Sequence, residues 1–308
     1  MNINNFKYKG KIGFFLARTI YGLYRYIRYD RFKDSVYLEK LFKIRQDYDL
    51  NLKNPRTLNE KLQWLKINDR KPIYSVFADK FAIREYVKQN IGEDLLIPLL
   101  YTTKKYQDIK SENLPEEPFI IKANHDSGSY LIVRDKTRVD WKKLSIDCKW
   151  WMSMNYYWYE REWQYKDIEP RIIVEKLLVD KSGKIPNDYK IHCINGNIEF
   201  IYVAIDREGK NKRNIYDKNW EPLPFTWASK YKNADKQKGE PIPPPTSFDR
   251  MKVIAEKVAK LYPYVRVDFY DVDGKLYFGE ITQCHGGGFD QIRPIEWDYK
   301  YGEMLKLN

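Results

Sequence analysis

A segment near the C-terminus combines strand-like alternation with regularly placed charges. Residues 265–282 read Val-Arg-Val-Asp-Phe-Tyr-Asp-Val-Asp-Gly-Lys-Leu-Tyr-Phe-Gly-Glu-Ile-Thr, and the central Asp273-Gly274 predicts a β-hairpin. Alternate side chains on a strand share a face. With a three-residue loop at 272–274, four polar residues therefore project from one surface: Arg266, Asp268, Glu280 and Thr282. A two-residue turn would instead place Asp268 and Glu280 on opposite faces.

Two carboxylates on neighbouring strands repel each other unless a cation lies between them. Asp268 and Glu280 offer hard oxygen ligands, which suit Mg²⁺. The alternative is a solvated charged hairpin without a ligand. The hairpin by itself leaves both interpretations open.

Matching polar residues occur upstream, each at the end of an apolar run. Lys122 follows Phe119-Ile120-Ile121, and a cation in such a buried strand needs a partner. The small-residue loop after it contains Ser127, Gly128 and Ser129. Such a loop can fold over phosphates, because its backbone N–H groups are accessible and glycine permits close approach. A second apolar run, 171–178, carries Glu175-Lys176.

The order of these pieces resembles the ATP-grasp superfamily, whose usual late motif is Arg-x-Asp followed by Glu-x-Asn. The resemblance narrows to the TupA-like ATP-grasp family, named for teichuronopeptide synthesis and found among capsule and cell-wall polysaccharide genes. Its motifs run from about residue 50 to about 290 and comprise Asn59-Glu60-Lys61-Leu62-Gln63-Trp64, Ala78-Asp79-Lys80, Ile121-Lys122-Ala123-Asn124-His125, Arg161-Glu162-Trp163-Gln164-Tyr165, Asp188-Tyr189-Lys190, Arg266-Val267-Asp268-Phe269-Tyr270 and Gly279-Glu280-Ile281-Thr282.

The resemblance implies ATP and Mg²⁺ as cofactors and assigns nucleotide contacts. Lys80 and Lys122 would contact the α- and β-phosphates of ATP, beneath the loop of Ser127, Gly128 and Ser129. A hinge would hold adenine, largely through backbone groups; it consists of Glu175, Lys176, Leu177 and Leu178. Asp188 would bind the ribose hydroxyls, and Lys190 would reach a phosphate.

The resemblance also implies the catalytic and metal-binding residues. Asp268 and Glu280 would hold Mg²⁺ against phosphate oxygens, with Thr282 as the candidate third ligand. Thr282 stands where most ATP-grasp enzymes have asparagine, so it would bind through water or not at all, which leaves a second metal ion open. Arg266, with Lys122 as the other catalytic residue, would stabilise the anionic intermediate or the transferring phosphoryl group. The interpretation of His285, next to the glycine turn 286–288, stays open between a general base and a solvated histidine.

The reaction implied by the resemblance joins a carboxylate to an amine through an acyl phosphate. We expect an ATP-dependent ligase that attaches an amino acid or amine to a uronic acid of a bacterial capsular or cell-surface polysaccharide. The expected partners are thus ATP, an acidic saccharide acceptor and an amine donor. Three alternatives remain: phosphoryl transfer to a hydroxyl, a glycosyltransferase (although no Asp-x-Asp motif is present) and a non-enzymatic scaffold.

Composition limits the partners and the compartment. The 308 residues carry a formal net charge of +12, which favours an anionic partner, although the excess could also serve solubility. No nucleic-acid motif or long basic block occurs, so nucleic acid is not an expected partner. The three cysteines, Cys148, Cys193 and Cys284, are widely spaced and odd in number, which favours a reducing cytosol over a disulfide framework. No signal peptide is recognised.

The pattern predicts a mixed α/β (α+β) ATP-grasp fold with a helical N-terminal region. We expect three parts: residues 1–115, mainly helical; 116–180, a small subdomain with the phosphate loop; and 181–308, a C-terminal subdomain with the hairpin. Thr57 and Glu60 form a capping-box pattern for one helix. Residues 206–247 are expected to be irregular, followed by a helix at 248–262.

The helix expected at 11–28 raises a membrane question. Its basic residues Lys11, Arg18 and Arg25 recur every seventh position, and apolar residues fall on the other side at helical period: Ile12, Leu16, Ile20, Leu23 and Ile27. Such a helix could lie in an anionic membrane interface, making the protein peripheral on the inner face of the membrane. Alternatively, the stripe packs against a helical segment within 35–66, on Tyr37, Leu41 and Ile44.

Overall fold

The computed structural model describes residues 6–228 and 238–307. In chain order its α-helices are α1 Gly10–Arg25, α2 Asp34–Arg45, α3 Leu58–Asn68, α4 Ile73–Ala78, α5 Ile83–Asn90, α6 Trp141–Ser153, α7 Tyr157–Glu160, α8 Phe248–Ala259 and α9 Glu296–Met304. The strands are β1 Leu99–Thr103, β2 Phe119–Ala123, β3 Tyr130–Val133, β4 Ile172–Lys176, β5 Asp188–Ile194, β6 Asn197–Ile205, β7 Lys212–Tyr216, β8 Thr226–Ala228, β9 Tyr264–Val272, β10 Lys275–Thr282 and β11 Gln291–Arg293. The predicted mixed fold with a helical N-terminal region is confirmed.

The chain divides into two compact units made of discontinuous segments. Unit 1 comprises residues 1–37, 72–81 and 98–177, and unit 2 comprises 38–71, 82–97 and 178–308. The break at 177/178 lies close to the predicted boundary at 180/181, whereas the predicted region 1–115 contributes to both units. The three-part division itself stays a prediction.

Unit 1 is built on a four-stranded antiparallel sheet in the order β1-β4-β2-β3. Apolar side chains of β2, β3 and β4 form a core with α6, whose members include Phe119, Ile121, Val133, Leu144, Cys148 and Val174. Strand β1 was not predicted, because its sequence Leu-Leu-Tyr-Thr-Thr is short and only partly buried. Pairing with β4 is what makes this segment a strand.

Unit 2 contains a five-stranded antiparallel sheet in the order β10-β9-β5-β6-β7. Helix α8 packs against β5, β6 and β9 on one face. A second core joins α3, α9 and the ribbon of β8 and β11 to buried aromatic residues that include Phe200, Tyr202, Trp227, Tyr264 and Tyr301. One face of each of the strands β5, β6 and β9 is therefore covered by α8.

Helix α3 begins as the sequence predicts. Thr57 accepts a hydrogen bond from the Glu60 backbone N–H, and the Glu60 carboxylate accepts one from the Thr57 N–H, so the capping box is present. Glu60 also receives the backbone N–H groups of Asn51 and Arg56. One buried carboxylate thus fixes both the start of α3 and the chain that leads into it.

Two predictions about regular structure were wrong in part. The stretch 206–247 contains β7 and β8, which pair with β6 and β11, respectively, although residues 229–237 lie outside the described residues. Helix α8 ends at Ala259 rather than at 262. Polar composition concealed β7, since its first three residues are Lys212, Arg213 and Asn214 rather than an apolar run.

The apolar stripe of α1 does not pack against another part of the described chain. Ile12 is 77% exposed and Leu23 is 62% exposed, while the buried residues of the helix are Gly13, Phe14 and Ala17. The packing alternative offered by the sequence is therefore wrong, and Ile44 of its expected partner face is itself exposed. Within residues 6–228 and 238–307, no helix has the length and apolar character needed to cross a membrane.

Candidate active site

Strands β5 and β9 bring a set of charged side chains onto one face of the sheet in unit 2. Lys190 lies opposite Asp268 and His192 lies opposite Arg266. Because alternate residues share a face, Asp188 lies on this face as well. The opposite face, which carries Ile191, Val267 and Phe269, is apolar and faces α8. We call Asp188, Lys190, Arg266, Asp268 and Glu280 the charged cluster.

Glu280 reaches this face by a route that the sequence did not predict. The hairpin turn contains only two residues, Asp273 and Gly274, both with positive φ, and Val272 pairs with Lys275. The predicted three-residue loop is therefore wrong. A β-bulge between Phe278 and Ile281 supplies the extra residue instead. The shared face of Arg266, Asp268, Glu280 and Thr282 is thus present, with a different cause.

Gly279 occupies the bulge because there is no room there for a side chain. A Cβ at this position would lie 2.9 Å from the carbonyl oxygen of Asp268, closer than real Cβ contacts. The crowding comes from backbone, which cannot move aside as a flexible side chain could. Glycine at this position therefore lets Glu280 turn toward the charged cluster.

We expect Gly279→Ala to destabilise the protein and to displace Glu280. Overpacking of this kind costs about 1–3 kcal/mol, which urea unfolding would measure. The matched control is Gly22→Ala, because a Cβ at Gly22 meets nothing within 4 Å. In the interior of α1 that change should be neutral or stabilising by up to about 1 kcal/mol. Equal stability of the two variants would contradict the steric role of Gly279.

Arg266 connects the two carboxylates predicted to be metal ligands. Its Nε and Nη2 donate to Asp268 Oδ1 and Oδ2, each at 2.6 Å, and Nη2 also donates to Glu280 Oε1 at 2.8 Å. Thr282 donates to the same Glu280 oxygen at 3.2 Å. One guanidinium nitrogen thus holds both carboxylates in place, and Thr282 orients Glu280.

Burial and neighbouring charges act in opposite directions on this group. Burial raises the pKa of Asp268, while Arg266 and Lys190 lower it by less, so that the net shift is upward. For Arg266, burial lowers the pKa, but Asp268 and Glu280 raise it by more, and the guanidinium stays charged. Both residues are buried, so the pair depends on its internal hydrogen bonds rather than on water.

Asp188 and Lys190 extend the cluster along β5. Lys190 Nζ lies 2.6 Å from Asp188 Oδ2 and 2.7 Å from Asp268 Oδ2. The other oxygen of Asp188, Oδ1, is buried and accepts no hydrogen bond in the structure. A buried acceptor without a donor is costly, and a ligand hydroxyl or a cation could satisfy it. This observation is compatible with the predicted ribose contact.

His285 supports Arg266 from the glycine turn. Its Nδ1 lies 3.0 Å from Arg266 Nη1, and because a guanidinium can only donate, Nδ1 is the acceptor. Burial, followed by Arg266, lowers the pKa of His285 well below its ordinary value, so the ring is neutral. The solvated alternative is wrong, since His285 is buried beside Trp227 and Tyr202.

The sequence showed the motif that begins at Asn59, but it did not predict that this helix binds the glycine turn 286–288. Gln63 Nε2 donates to the carbonyl oxygens of Gly287 and Gly288 at 3.1 and 2.7 Å, and buried Lys66 donates to Gly287 as well. Helix α3 therefore fixes the turn from which His285 projects. The signal available in the sequence was an amide and a lysine three residues apart, Gln63 and Lys66, beside Leu62 and Leu65.

In unit 1, Lys122 has the partner that its buried strand demanded. Its Nζ lies 2.6 Å from Glu175 Oε2, and the Glu175 side chain is only 6% exposed. Glu175 pairs with Ile120 across β4 and β2, so it lies on the same face as Lys122. One of the two predicted phosphate lysines, Lys122, and the first residue of the predicted hinge, Glu175, therefore form an ion pair.

Lys80 lies at the predicted phosphate loop. The Lys80 N–H donates to the Asn124 carbonyl at 3.1 Å, and its ammonium donates to the carbonyl of Asp126. Asn124 in turn donates to Asp79 Oδ1 at 2.8 Å. Ser127 and Gly128 are exposed, Gly128 has a φ of +96°, and Ser129 accepts the Ala123 N–H. Two separate sequence motifs are thus held together by Asn124.

Two backbone N–H groups of the predicted adenine hinge already have hydrogen-bond acceptors within the protein. The N–H groups of Lys176 and Leu177 donate to the carbonyls of Pro98 and Pro118 at 3.0 and 3.1 Å. The Lys176 side chain pairs with Glu117 at the surface.

Asp268 and Glu280, the residues expected to bind Mg²⁺, both present carboxylate oxygens to the same place. Asp268 and Glu280 converge on a single nitrogen of Arg266, and the unpaired Asp188 oxygen belongs to the same cluster. An anionic oxygen set around one cationic position fits a hard divalent ion. In the described ranges, no group of three or more His, Cys, Asp or Glu side chains is already arranged around a common metal position.

These features are those expected of an ATP-grasp protein. Residues 60–306 match the TupA-like ATPgrasp family. Since the match covers most of the chain, the chain belongs to the TupA-like ATP-grasp family. The resemblance drawn from the motifs is confirmed.

Solved structures with related folds are distant. D-alanine–D-alanine ligase from Bacillus anthracis has a TM-score of 0.38 and 16% identity, over 68% of this chain and 57% of that chain. The ligase of the same name from Helicobacter pylori has a TM-score of 0.42 and 12% identity, covering 82% and 68%. Macrocyclase MdnC from Microcystis aeruginosa, bound with precursor peptide MdnA, has a TM-score of 0.39 and 13% identity, over 76% of this chain and 63% of that chain.

This chain therefore spans little more than half the length of the Bacillus anthracis ligase. No curated protein matches the sequence. The family match alone carries the assignment.

Proposed function

We propose that this protein is an ATP- and Mg²⁺-dependent carboxylate–amine ligase that works through an acyl phosphate. Family membership supports the use of ATP. The observation that carries the proposal is the buried Arg266 guanidinium, which bridges Asp268 and Glu280 on one face of the sheet. Such an arrangement can neutralise charge that develops on a phosphoryl group in transfer.

Residues of unit 1 and residues of unit 2 are assigned separate roles. In unit 1, Lys80 and Lys122 would bind phosphate oxygens, with backbone N–H groups of the loop 127–129. In unit 2, Asp188 would accept a ribose hydroxyl at its unpaired oxygen, and Lys190 would contact phosphate. Asp268 and Glu280 would hold Mg²⁺, which when bound neutralises the phosphate oxygens. Thr282 would keep Glu280 oriented.

The chemistry requires two successive displacements. A substrate carboxylate oxygen attacks the γ-phosphorus of ATP, and ADP leaves with the electrons of the broken P–O bond. The amine nitrogen then attacks the acyl carbon, phosphate leaves, and the nitrogen loses a proton to solvent. Arg266, fixed by Asp268 and His285, would stabilise negative charge in the first step without changing its own protonation state.

We propose an acidic saccharide, a uronic acid of a bacterial capsular or cell-surface polysaccharide, as the carboxylate donor, with an amino acid or amine as the nucleophile. Two observations support this choice. The chain belongs to the TupA-like family, which is named for teichuronopeptide synthesis. Its net charge of +12 favours an anionic substrate. We place the reaction in the cytosol, since ATP is available there and all three cysteines are buried outside any disulfide.

The test measures the dependence of phosphate release on the amine. Purified protein, ATP and MgCl₂ are mixed with glucuronic acid, free or as its nucleotide sugar, and with a panel of amino acids. We expect phosphate release that needs both acceptor and amine, and a product heavier by one amino acid less water in mass spectrometry. A phosphorylated sugar formed without amine would replace the proposal with phosphoryl transfer, and a new glycosidic bond would replace it with glycosyl transfer.

A further inference from the structure

Helix α1 presents a continuous apolar surface to solvent. Ile12, Phe15 and Leu23 are 77%, 68% and 62% exposed, and the rest of the row is 44–50% exposed. We call this row, formed by Ile12, Phe15, Leu16, Ile20 and Leu23 of α1 and by Ile27 in the π-helical turn that follows it, the outer face. Large apolar side chains exposed as one stripe mark a surface that contacts a partner or a membrane.

The opposite side of α1 is fixed to unit 1. Phe14 and Ala17 are buried in a cluster with Trp150, and Phe14 and Tyr21 meet the Trp150 ring edge-on at 5.9 and 5.7 Å. The Tyr21 hydroxyl donates to the Tyr159 hydroxyl at 2.7 Å. The helix is therefore held by one side, and it carries the outer face on the side turned away from that core.

Basic residues are concentrated in the segment that carries the outer face. Residues 6–33 contain eight basic residues (Lys7, Lys9, Lys11, Arg18, Arg25, Arg28, Arg31 and Lys33) and one acidic residue, Asp30, which gives 8 − 1 = +7 of the formal +12 of the whole chain. Of these, Lys7 is buried and pairs with Asp147 at 2.7 Å. Lys11 and Arg18 are exposed, and Arg25 pairs with Asp30 at 3.1 Å. The three recur every seventh position, so they border the apolar row along its length.

We propose that α1 docks unit 1 on an anionic lipid surface, with the outer face among the acyl chains and the basic row at the headgroups. A helix with this division of residues lies in the interface plane at a depth of about 5–10 Å. The 16 residues of α1 extend about 24 Å, less than the hydrocarbon thickness of about 30 Å, so the helix lies along the membrane.

The positive charge of this segment favours anionic lipid, rather than a second copy of this chain, as the partner of the outer face. Two copies paired through their outer faces would bring together two segments of +7, with Asp30 as the sole acidic residue in each. Like charges at close range oppose such pairing, whereas anionic headgroups neutralise the same residues. The proposal does not depend on the ligase reaction, because no residue of α1 belongs to the charged cluster.

The experiment uses the full chain and vesicles of phosphatidylcholine, either alone or mixed with phosphatidylglycerol. We expect co-sedimentation with the mixed vesicles only, and release at high salt, which shortens the range of exposed charges. Lys11→Glu with Arg18→Glu should lower partitioning by at least about 25-fold, since each basic residue near the surface contributes roughly fivefold. Leu16→Ser with Leu23→Ser should lower it by at least about tenfold.

Matched controls carry the same changes on unit 2. Lys53→Glu with Lys260→Glu alters net charge equally, and Val253→Ser with Leu261→Ser removes side chains that are 67% and 43% exposed, close to the 62% and 45% of Leu23 and Leu16. Both controls should bind vesicles like the wild type. Circular dichroism checks that all variants are folded.

Three results would overturn the proposal: no binding to the mixed vesicles, equal binding to both kinds of vesicle, or equal loss in the controls. Sedimentation velocity distinguishes the rival occupant. A concentration-dependent dimer that Leu16→Ser with Leu23→Ser abolishes would assign the outer face to a second copy. Since vesicle binding is measured without ATP or acceptor, failure of the proposed ligase reaction would leave this result unaffected.

Discussion

Replacing Asp268 by asparagine is expected to abolish turnover and also to destabilise unit 2. The carboxylate accepts two hydrogen bonds from Arg266 and one from Lys190, and it is buried. Loss of its charge leaves two buried cations with one fewer anion, which costs about 3–5 kcal/mol. We expect ATP-dependent phosphate release to fall at least about 100-fold, and urea unfolding to report the loss of stability.

Glu280→Gln separates the catalytic effect from the structural one. Its side chain is 41% exposed, so the change should leave the fold nearly intact while it removes a proposed Mg²⁺ ligand. The matched control is Asp249→Asn, which neutralises a carboxylate that is 94% exposed in α8. If Glu280→Gln turned over ATP like the wild type, or if EDTA left activity unchanged, the metal assignment would be wrong.

Lys122→Met should weaken ATP binding by about 10- to 150-fold, which corresponds to about 1.5–3 kcal/mol for one charge-assisted contact. Methionine keeps most of the length and apolar volume of lysine, so the core of unit 1 is preserved. The change also removes the 2.6 Å ion pair with Glu175, which is nearly buried. Calorimetric titration with ATP measures the affinity, and circular dichroism verifies the fold.

The control for this change is Lys104→Met in the same unit. Lys104 pairs with Glu169 at the surface, where both side chains are about half exposed or more, and it belongs to none of the proposed contacts. ATP affinity should be unchanged in this variant. An unchanged affinity in Lys122→Met as well would show that the ion pair with Glu175 serves only the structure of unit 1.

Residue type and spacing predicted much of the candidate site. A lysine after Phe119-Ile120-Ile121 requires a counter-charge, and Glu175 supplies it. Arg266-x-Asp268 on an alternating strand places both groups on one face, as the register of β9 with β5 shows. These inferences depend only on local periodicity and on the cost of burying a charge, both of which are properties of the sequence.

Other parts of the site depend on long-range contacts that no local pattern contains. The hydrogen bond from Arg266 to His285 requires the turn 286–288 to be held by α3, more than 200 residues earlier in the chain. Strand β1 exists because β4 pairs with it. The outer face of α1 had two equally good interpretations, since an amphipathic pattern does not say which side of a helix faces the protein.

The bulge at Gly279 determines which face of the hairpin carries Glu280. Glu280 and Asp268 lie on the same face because of the number of residues between them. One extra residue, in the turn or at a bulge, changes that face in the same way. One residue added to the turn and one removed at the bulge would therefore compensate each other, while either change alone would direct Glu280 toward the opposite face of the sheet. Related chains with a different turn length can preserve the same charged cluster, provided that the two changes occur together.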